Sequence, residues 1–437
     1  MPCTLLFLAM LAAHAEPLQG HGPQDSITLL EPDIENMRLA WQTGIAQRRA
    51  DWLAPALTAL SIYYQLRGLA REGEAVMRAA ADAATGWDAS GVALATRASV
   101  ERARFQNRLG QHWPAMQSAQ AALKLAAACA DRWAEGMAHV WWGEALWRLG
   151  KYDAARHNLD HAMTAAKDID STHIIGWVHH QLGIIDDIQG RYDAAHDHVQ
   201  RACDAWRKLG NATTLSVSLN SLGLVCHHQG DLEAAQQFME HALRLCEEID
   251  NRHLQALLFN NLSIVATERG DYSGAQQHLQ HGLELAIRSG NATGQAEMYN
   301  NLGRNALLQG HFGRAAEYHE QALQLSEQLG NRSTMATAML NLAESKRELG
   351  DTQRAEALYR QALQIAQHDK LQRAECLVSI GLAELLADSD PRQARQLIAS
   401  AASIAEALGN PDFIERARAI ARALGTPADR TEKNRSA

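Results

Sequence analysis

Six asparagines stand at two adjacent recurring phases of this 437-residue chain. Sampling every fortieth residue from position 140 gives Val140, His180, Asn220, Asn260, Asn300 and Leu340. One position later the series is Trp141, Gln181, Ser221, Asn261, Asn301 and Asn341. Asparagine is a poor helix former, so its repetition inside what reads as helix requires a reason. A primary amide both donates and accepts, which suits the backbone of an extended peptide laid along a groove. The alternative is that the amides bridge neighbouring helices and satisfy buried carbonyls. The ten tryptophans all lie at or before Trp206. Trp141, Trp147 and Trp177 share the face of the amide columns, where an aromatic cluster would anchor a partner's apolar side chain. Filling of a wide core is the alternative for them, and is expected of Trp142. Arg304 stands beside the amides, but neither column carries Lys or Arg, which argues against a clamp for paired carboxylates.

Other chemistries find less support. Among the 20 histidines, His157 and His161 are four apart, and His227-His228 and His196-x-His198 also pair. Two such ligands leave a zinc site short of a third or fourth, and no H-E-x-x-H occurs. A pH response would need His180 or His227 in a groove. The six cysteines form no C-x-x-C pair and read as small core fillers. There is no G-x-S-x-G elbow and no phosphate loop, since Gly150-Lys151 is followed by Tyr152 without the upstream glycine spacing. The expectation is a non-catalytic chain without cofactor or metal.

The elements that must hold these columns are set by glycine. Gly110, Gly150, Gly190, Gly230, Gly270, Gly310 and Gly350 are spaced by 40, and Gly68 precedes them. A small residue keeps the same step (Gly143, Gly183, Gly223, Ser263, Gly303, Ala343), as do Ala155, Ala195, Ala235, Ala275, Ala315 and Ala355. So do Ala162, Ala202, Ala242, Gly282, Ala322 and Ala362. Small residues at fixed phase let two helix axes approach closely. The pattern therefore predicts two amphipathic helices of about 17 residues per unit, each too short to be stable without its neighbours. Gly-Asn at 210–211, 290–291, 330–331 and 409–410 ends one helix and caps the next. Gly-Asp at 230–231, 270–271 and 350–351 does the same at the inner turn.

Leucine before the small position (Leu182, Leu222, Leu262, Leu302, Leu342), followed by the two alanine columns, resembles the tetratricopeptide repeat in a form about six residues longer than usual. The resemblance implies an all-α, right-handed α-solenoid of about nine helical hairpins, with the first helix of each lining a concave surface. The asparagine ladder is similar to that of kinesin light chains and Pins-type adaptors, which implies a bound protein segment. The expected ligand-binding set is Asn220, Asn260, Asn300, Asn261, Asn301, Asn341, Arg304, Trp141, Trp147 and Trp177.

The expected organisation is a helical lead-in over 1–50, the solenoid over 51–408, a capping helix over 409–424 and a disordered tail over 425–437. The first hairpin is placed at about 51–84, the second at about 89–130, and the last, shorter one at about 371–408. The stretch from Leu29 to about residue 80 (LLEPDIENMRLAWQTG, then DWLAPALTALSIYYQLRG) resembles the region following the motor modules of STAND-type ATPases and related activators. That implies a second reading, a sensor arm lacking its NTPase module. A net charge of −9 from 41 basic and 50 acidic residues disfavours nucleic acid as the direct partner. No run after the start approaches the ~18 apolar residues that span a bilayer. The start, MPCTLLFLAMLAAHAEP, ends its apolar run in Ala13-His14-Ala15, which could pass for a cleavage site. Its lack of early Lys or Arg disfavours secretion, and a cytoplasmic location is expected.

Overall fold

The computed structural model describes residues 2–18, 20, 23–408 and 411–425, and among these every regular element is helical. The leading helices are α1 (Pro2–Ala13), α2 (Pro23–Leu30) and α3 (Ile34–Ala46). Hairpins follow: α4 (Ala50–Leu66) with α5 (Ala70–Ala84), α6 (Ala89–Arg108) with α7 (His112–Cys129), and α8 (Arg132–Arg148) with α9 (Tyr152–Asp168). Next come α10 (Thr172–Ile188) with α11 (Tyr192–Leu209), α12 (Ala212–His228) with α13 (Leu232–Glu248), and α14 (Arg252–Glu268) with α15 (Tyr272–Arg288). The series ends with α16 (Ala292–Leu308) and α17 (Phe312–Leu329), α18 (Arg332–Glu348) and α19 (Thr352–His368), α20 (Gln372–Leu386) and α21 (Pro391–Leu408), and the single α22 (Pro411–Ala423). The Gly409-Asn410 junction and the tail expected to be disordered lie outside the described residues, Gly425 excepted.

The chain divides into two compact units, Met1–Leu258 and Phe259–Ala437, with the boundary inside α14. In the first unit each helix from α3 to α12 packs on the next, and α4, α6, α8, α10 and α12 also pack on one another in turn. The second unit repeats this, with α16, α18, α20 and α22 in succession. Pairing along the chain plus a continuous row of alternate helices is the geometry of an α-solenoid, in which each repeat is held by its neighbours.

The repeated small residues explain the close pairing. A Cβ on Gly183 would sit 2.4 Å from Val199 Cγ2 and 3.2 Å from the Ala195 carbonyl oxygen, so only glycine lets α10 meet α11 this closely. Ala155, Ala195, Ala235, Ala275, Ala315 and Ala355 are all fully buried on the opposing helices. At the inner turn Gly190 adopts φ +71°, and the Arg191 N–H reaches back to the Asp186 carbonyl at 2.8 Å, closing the helix end. The expected caps form as well: Asp231 accepts from the Ala234 N–H at 3.0 Å and Asn211 from the Thr214 N–H at 3.1 Å.

The start of the chain contributes more than a lead-in. The helix α1 packs on α3 and α4, and its Leu8 and Leu11 are buried with Met37, Trp41 and Leu53 in one apolar cluster. Leu18, just beyond α1, is also fully buried. Among the described residues no helix is long and apolar enough to cross a membrane.

Candidate functional site

In the first unit the alternate helices α4, α6, α8, α10 and α12, together with the start of α14, line one cavity of about 650 Å³. That size lies in the range of small-ligand and peptide side-chain pockets. Its wall is aromatic and charged. Arg104 (α6) lies over two rings, 5.1 Å from the centre of Trp141 (α8) and 5.3 Å from that of Trp177 (α10). The two indoles meet edge to face at 4.9 Å, and Trp177 meets Trp206 in the same way at 5.5 Å. A cation over two indole faces is held by their quadrupoles, more strongly where water is scarce. The Trp206 ring is itself admitted by Gly176, whose Cβ would stand 2.8 Å from it.

A polar network ties these helices together. Gln65 donates to Ser61 Oγ at 3.1 Å, Ser61 donates to Glu101 Oε2 at 2.5 Å, and Glu101 faces Arg104 at 3.7 Å. One helix pair further on, Arg148 donates to Glu144 Oε1 at 3.0 Å and Gln181 to Glu144 Oε2 at 3.3 Å. Trp147 donates its indole N–H to Gln181 Oε1 at 2.7 Å. Ser218 joins His180 Nδ1 and the Trp206 N–H, each at 3.0 Å. Several groups stay unpartnered. The indole nitrogens of Trp141 and Trp177, and Nδ1 of His173, are buried without a hydrogen-bond partner. Such groups carry a desolvation cost until a ligand or water satisfies them.

Charge in the cavity is unbalanced. Arg97, Arg104, Arg108 and Arg148 line the cavity with Glu101 and Glu144 as its lining carboxylates, and Arg97 is paired with Asp131 at 2.9 Å. Desolvation, then the neighbouring positive charge of Arg104, pushes the Arg108 guanidinium down to about 10. Burial likewise lowers His173 and His180 to about 4, so both are neutral at pH 7. The pH response considered for His180 is thereby displaced well below neutrality.

The residues expected from sequence divide between the two units. Trp141, Trp177, Trp147 and Asn220 all line the cavity of the first unit. The expectation of exposed aromatic anchors needs correcting: Trp141 is 1% exposed and Trp177 8%, both locked into the wall, and only Trp147 is half-buried. Asn260 and Asn300 are buried residues of the second unit. There Asn301 Nδ2 donates to Asn260 Oδ1 at 2.8 Å, and Asn341 Nδ2 approaches Asn300 Oδ1 at 3.4 Å. These amides therefore bridge successive repeats, the alternative raised for them above. Asn261 is buried and Arg304 is exposed. Asn220 and Asn261 each have interaction partners.

Arg104, Arg108, Arg148, Glu101, Glu144 and His173 were not expected. The signal for them was present: Glu101 is the Trp141 column carried one step back, and Arg104 holds the same 40-residue phase as Arg304. Among the histidines, His157 and His161 face each other at 3.1 Å on the exposed side of α9. Among the described residues no three His, Cys, Asp or Glu side chains converge as a metal site would require. Cys203, Cys226, Cys246 and Cys376 are buried, and desolvation raises their thiol pKa values.

Comparison with known proteins agrees with this architecture. A family profile described as "Tetratricopeptide repeat" matches residues 135–208, 213–288 and 334–407, and a second profile of the same description matches 295–329. No curated protein matches the chain. Among solved structures, the apo form of the quorum sensor NprR from B. thuringiensis aligns over 85% of this chain and 99% of its own, with 14% identity and a TM-score of 0.57. A Rap protein complexed with Competence and Sporulation Factor aligns over 75% of this chain and 96% of its own, with 16% identity and a TM-score of 0.50. A STAND protein with a tetratricopeptide repeat sensor from Pyrococcus horikoshii aligns over 80% of this chain and 55% of its own, with 14% identity and a TM-score of 0.55. At these identities the likeness is one of fold.

Proposed function

Because the chain belongs to the tetratricopeptide repeat family, we propose that it is a non-catalytic binding protein whose first unit captures a peptide segment of a partner. The observation that carries this reading is the cavity enclosed by the alternate helices, with unsatisfied indole N–H groups in its wall. An extended peptide presents a carbonyl acceptor at every residue, so it can meet buried donors at several depths of one groove. Trp147, half-buried at the wall, supplies an apolar contact, and Asn220 and Gln181 supply amides beside it. The Rap structure, complexed with Competence and Sporulation Factor, supports the idea that this fold can hold a ligand.

Asn260, Asn300, Asn261, Asn301, Asn341 and Arg304 remain a proposed contact surface of the second unit by itself. Their mutual bridging makes them weaker contributors than the first unit's wall. The proposed location is the cytoplasm. The likeness to the STAND protein favours one further reading, a sensor arm acting on a motor encoded beside it. The coding sequence immediately upstream distinguishes the two: an in-frame P-loop and winged-helix region supports the sensor arm.

The test of peptide capture is obstruction. Ile184 lines the cavity and is half-buried, so Ile184→Arg places a long side chain in the open space. Equilibrium dialysis of a random pentapeptide pool, read by mass spectrometry, should show retention by the native protein and loss of it in Ile184→Arg, with helical content preserved by circular dichroism. Equal retention by the two proteins removes the cavity from the reading.

A further inference from the structure

On the exposed side of α9 one repeat departs from the others. His157 and His161, one turn apart, bring their Nε2 atoms to 3.1 Å. The same phase holds Gln117 and Ala121 on α7 and Asp197 and Arg201 on α11, and no other repeat pairs two histidines there. The His161 ring is supported from α8. It stacks on the half-buried His139 ring at 5.0 Å between centres, His139 Nδ1 is held by Asn158 Oδ1 at 3.0 Å, and Trp142 stacks behind at 6.5 Å. Burial lowers the His139 pKa, so this support is an uncharged ring at neutral pH.

The spacing of the exposed pair is that of a chelate. Two nitrogens bound to one Zn²⁺ at ~2.0–2.1 Å and a tetrahedral angle stand about 3.3–3.4 Å apart, which a small rotation of either ring supplies. Both lone pairs become available once the proton shared between the Nε2 atoms has moved to an Nδ1. The carboxylates of Asp153 and Asp160, exposed about one turn before and after His157, favour a cation at this place. One chain supplies two ligands, and zinc takes four. The helix α9 contributes nothing to the cavity, and both histidines are exposed, so a second copy can bring its own pair to the same ion about a two-fold axis. We propose that His157 and His161 form half of a four-imidazole Zn²⁺ site, and that the ion joins two copies of this chain through α9. The flanking helices leave room for such a contact: Ala121 on α7 is small, and Arg201 on α11 is drawn into an ion pair with Asp197 at 3.0 Å. Imidazole nitrogens suit a borderline-soft ion such as Zn²⁺ and are poor ligands for Mg²⁺ or Ca²⁺. The oligomeric state of the chain then follows free zinc, independently of what the cavity holds.

Sedimentation velocity of the untagged full chain, dialysed against chelator and then titrated with zinc chloride, tests this. Zinc should double the sedimenting mass, saturating at one ion per two chains, and EDTA should reverse the change. Magnesium should have no effect. His157→Ala and His161→Ala should each abolish the doubling at the same zinc concentration, with helical content by circular dichroism unchanged because both side chains are exposed. His281→Ala, at the His161 phase in a repeat with a glutamine at the partner position, should leave the doubling intact. With Co²⁺ in place of zinc, the strong visible absorption of a four-coordinate ion should appear and be lost in His157→Ala. A mass that does not change on adding zinc, saturation at one ion per chain, or a doubling that survives both substitutions overturns the proposal.

Discussion

Removing the Asn260 side chain tests whether the second unit's amides are structural. Asn260 is 9% exposed and accepts from Asn301 Nδ2 at 2.8 Å, joining α14 to α16. An amide hydrogen bond contributes a net ~1 kcal/mol, and a donor left buried without a partner costs about 1–3 kcal/mol. Asn301 is only half-buried, so water can reach the orphaned donor and the lower end of that range applies. Asn260→Ala should therefore destabilise the second unit by ~1 kcal/mol. A double-mutant cycle with Asn301→Ala should give a coupling of about 0.5–1.5 kcal/mol, the range for residues in direct contact. The pair Asn300–Asn341, at 3.4 Å, is stretched and should couple by under about 0.5 kcal/mol. Because repeat arrays unfold in segments, hydrogen exchange at the amides of α14 and α16 is the appropriate assay. No coupling at 260–301, or stronger coupling at 300–341, refutes the structural assignment and returns these amides to ligand binding.

Two other outcomes follow from particular groups. Burial lowers His180 in the first unit and His319 in the second to about 4, so each folded unit favours the neutral imidazole. As pH falls through 6.5 the unfolded chain takes up a proton that the folded one refuses until about pH 4. Stability is therefore lost between those values and levels off below, by about 3 kcal/mol per histidine; urea titrations from pH 7 to 4 should show it, and His319→Gln should flatten the second unit's share. Asp170 and Lys370 end helices in the left-handed conformation, at φ 49° and 56°, where Gly210, Gly290 and Gly330 serve elsewhere. Replacing either with glycine should raise stability by ~1 kcal/mol in urea titration, the cost of a side chain in that conformation.

The hairpins were legible because each depends on local signals that recur. A turn glycine, a cap three residues before its N–H, and small residues at a fixed phase all reappear every 40 residues, and the helix ends fall beside them. The role of α1 was not legible. Its leucines carry no clear helical face, and only the contact with α3 and α4 shows that Leu8 and Leu11 are core. The asparagine columns were found correctly as a pattern, but phase alone cannot tell a groove-facing amide from one that reaches across to the next repeat. That distinction depends on side-chain torsion and on the distance between successive helices, which a single sequence does not contain.

The charged residues of the cavity were missed for a related reason. A repeat is recognised by what stays the same, whereas a binding site built on repeats resides in what changes. Position 104 of the 40-residue phase holds Arg104, then Glu144, then Ile184, and the neighbouring phase holds Glu101, Trp141 and Gln181. Each substitution is neutral to the packing columns, since those residues project from the alternate helices into the cavity rather than toward the paired helix. Freed from the packing constraint, they assemble an arginine beside two indoles and two sets of hydrogen bonds, one joining α4 to α6 and the other α8 to α10. The regular positions hold the solenoid together, and the irregular ones confine positive charge to one enclosed place on an otherwise acidic chain. Function in such an array is therefore sought where a column breaks, as these two do in the first unit.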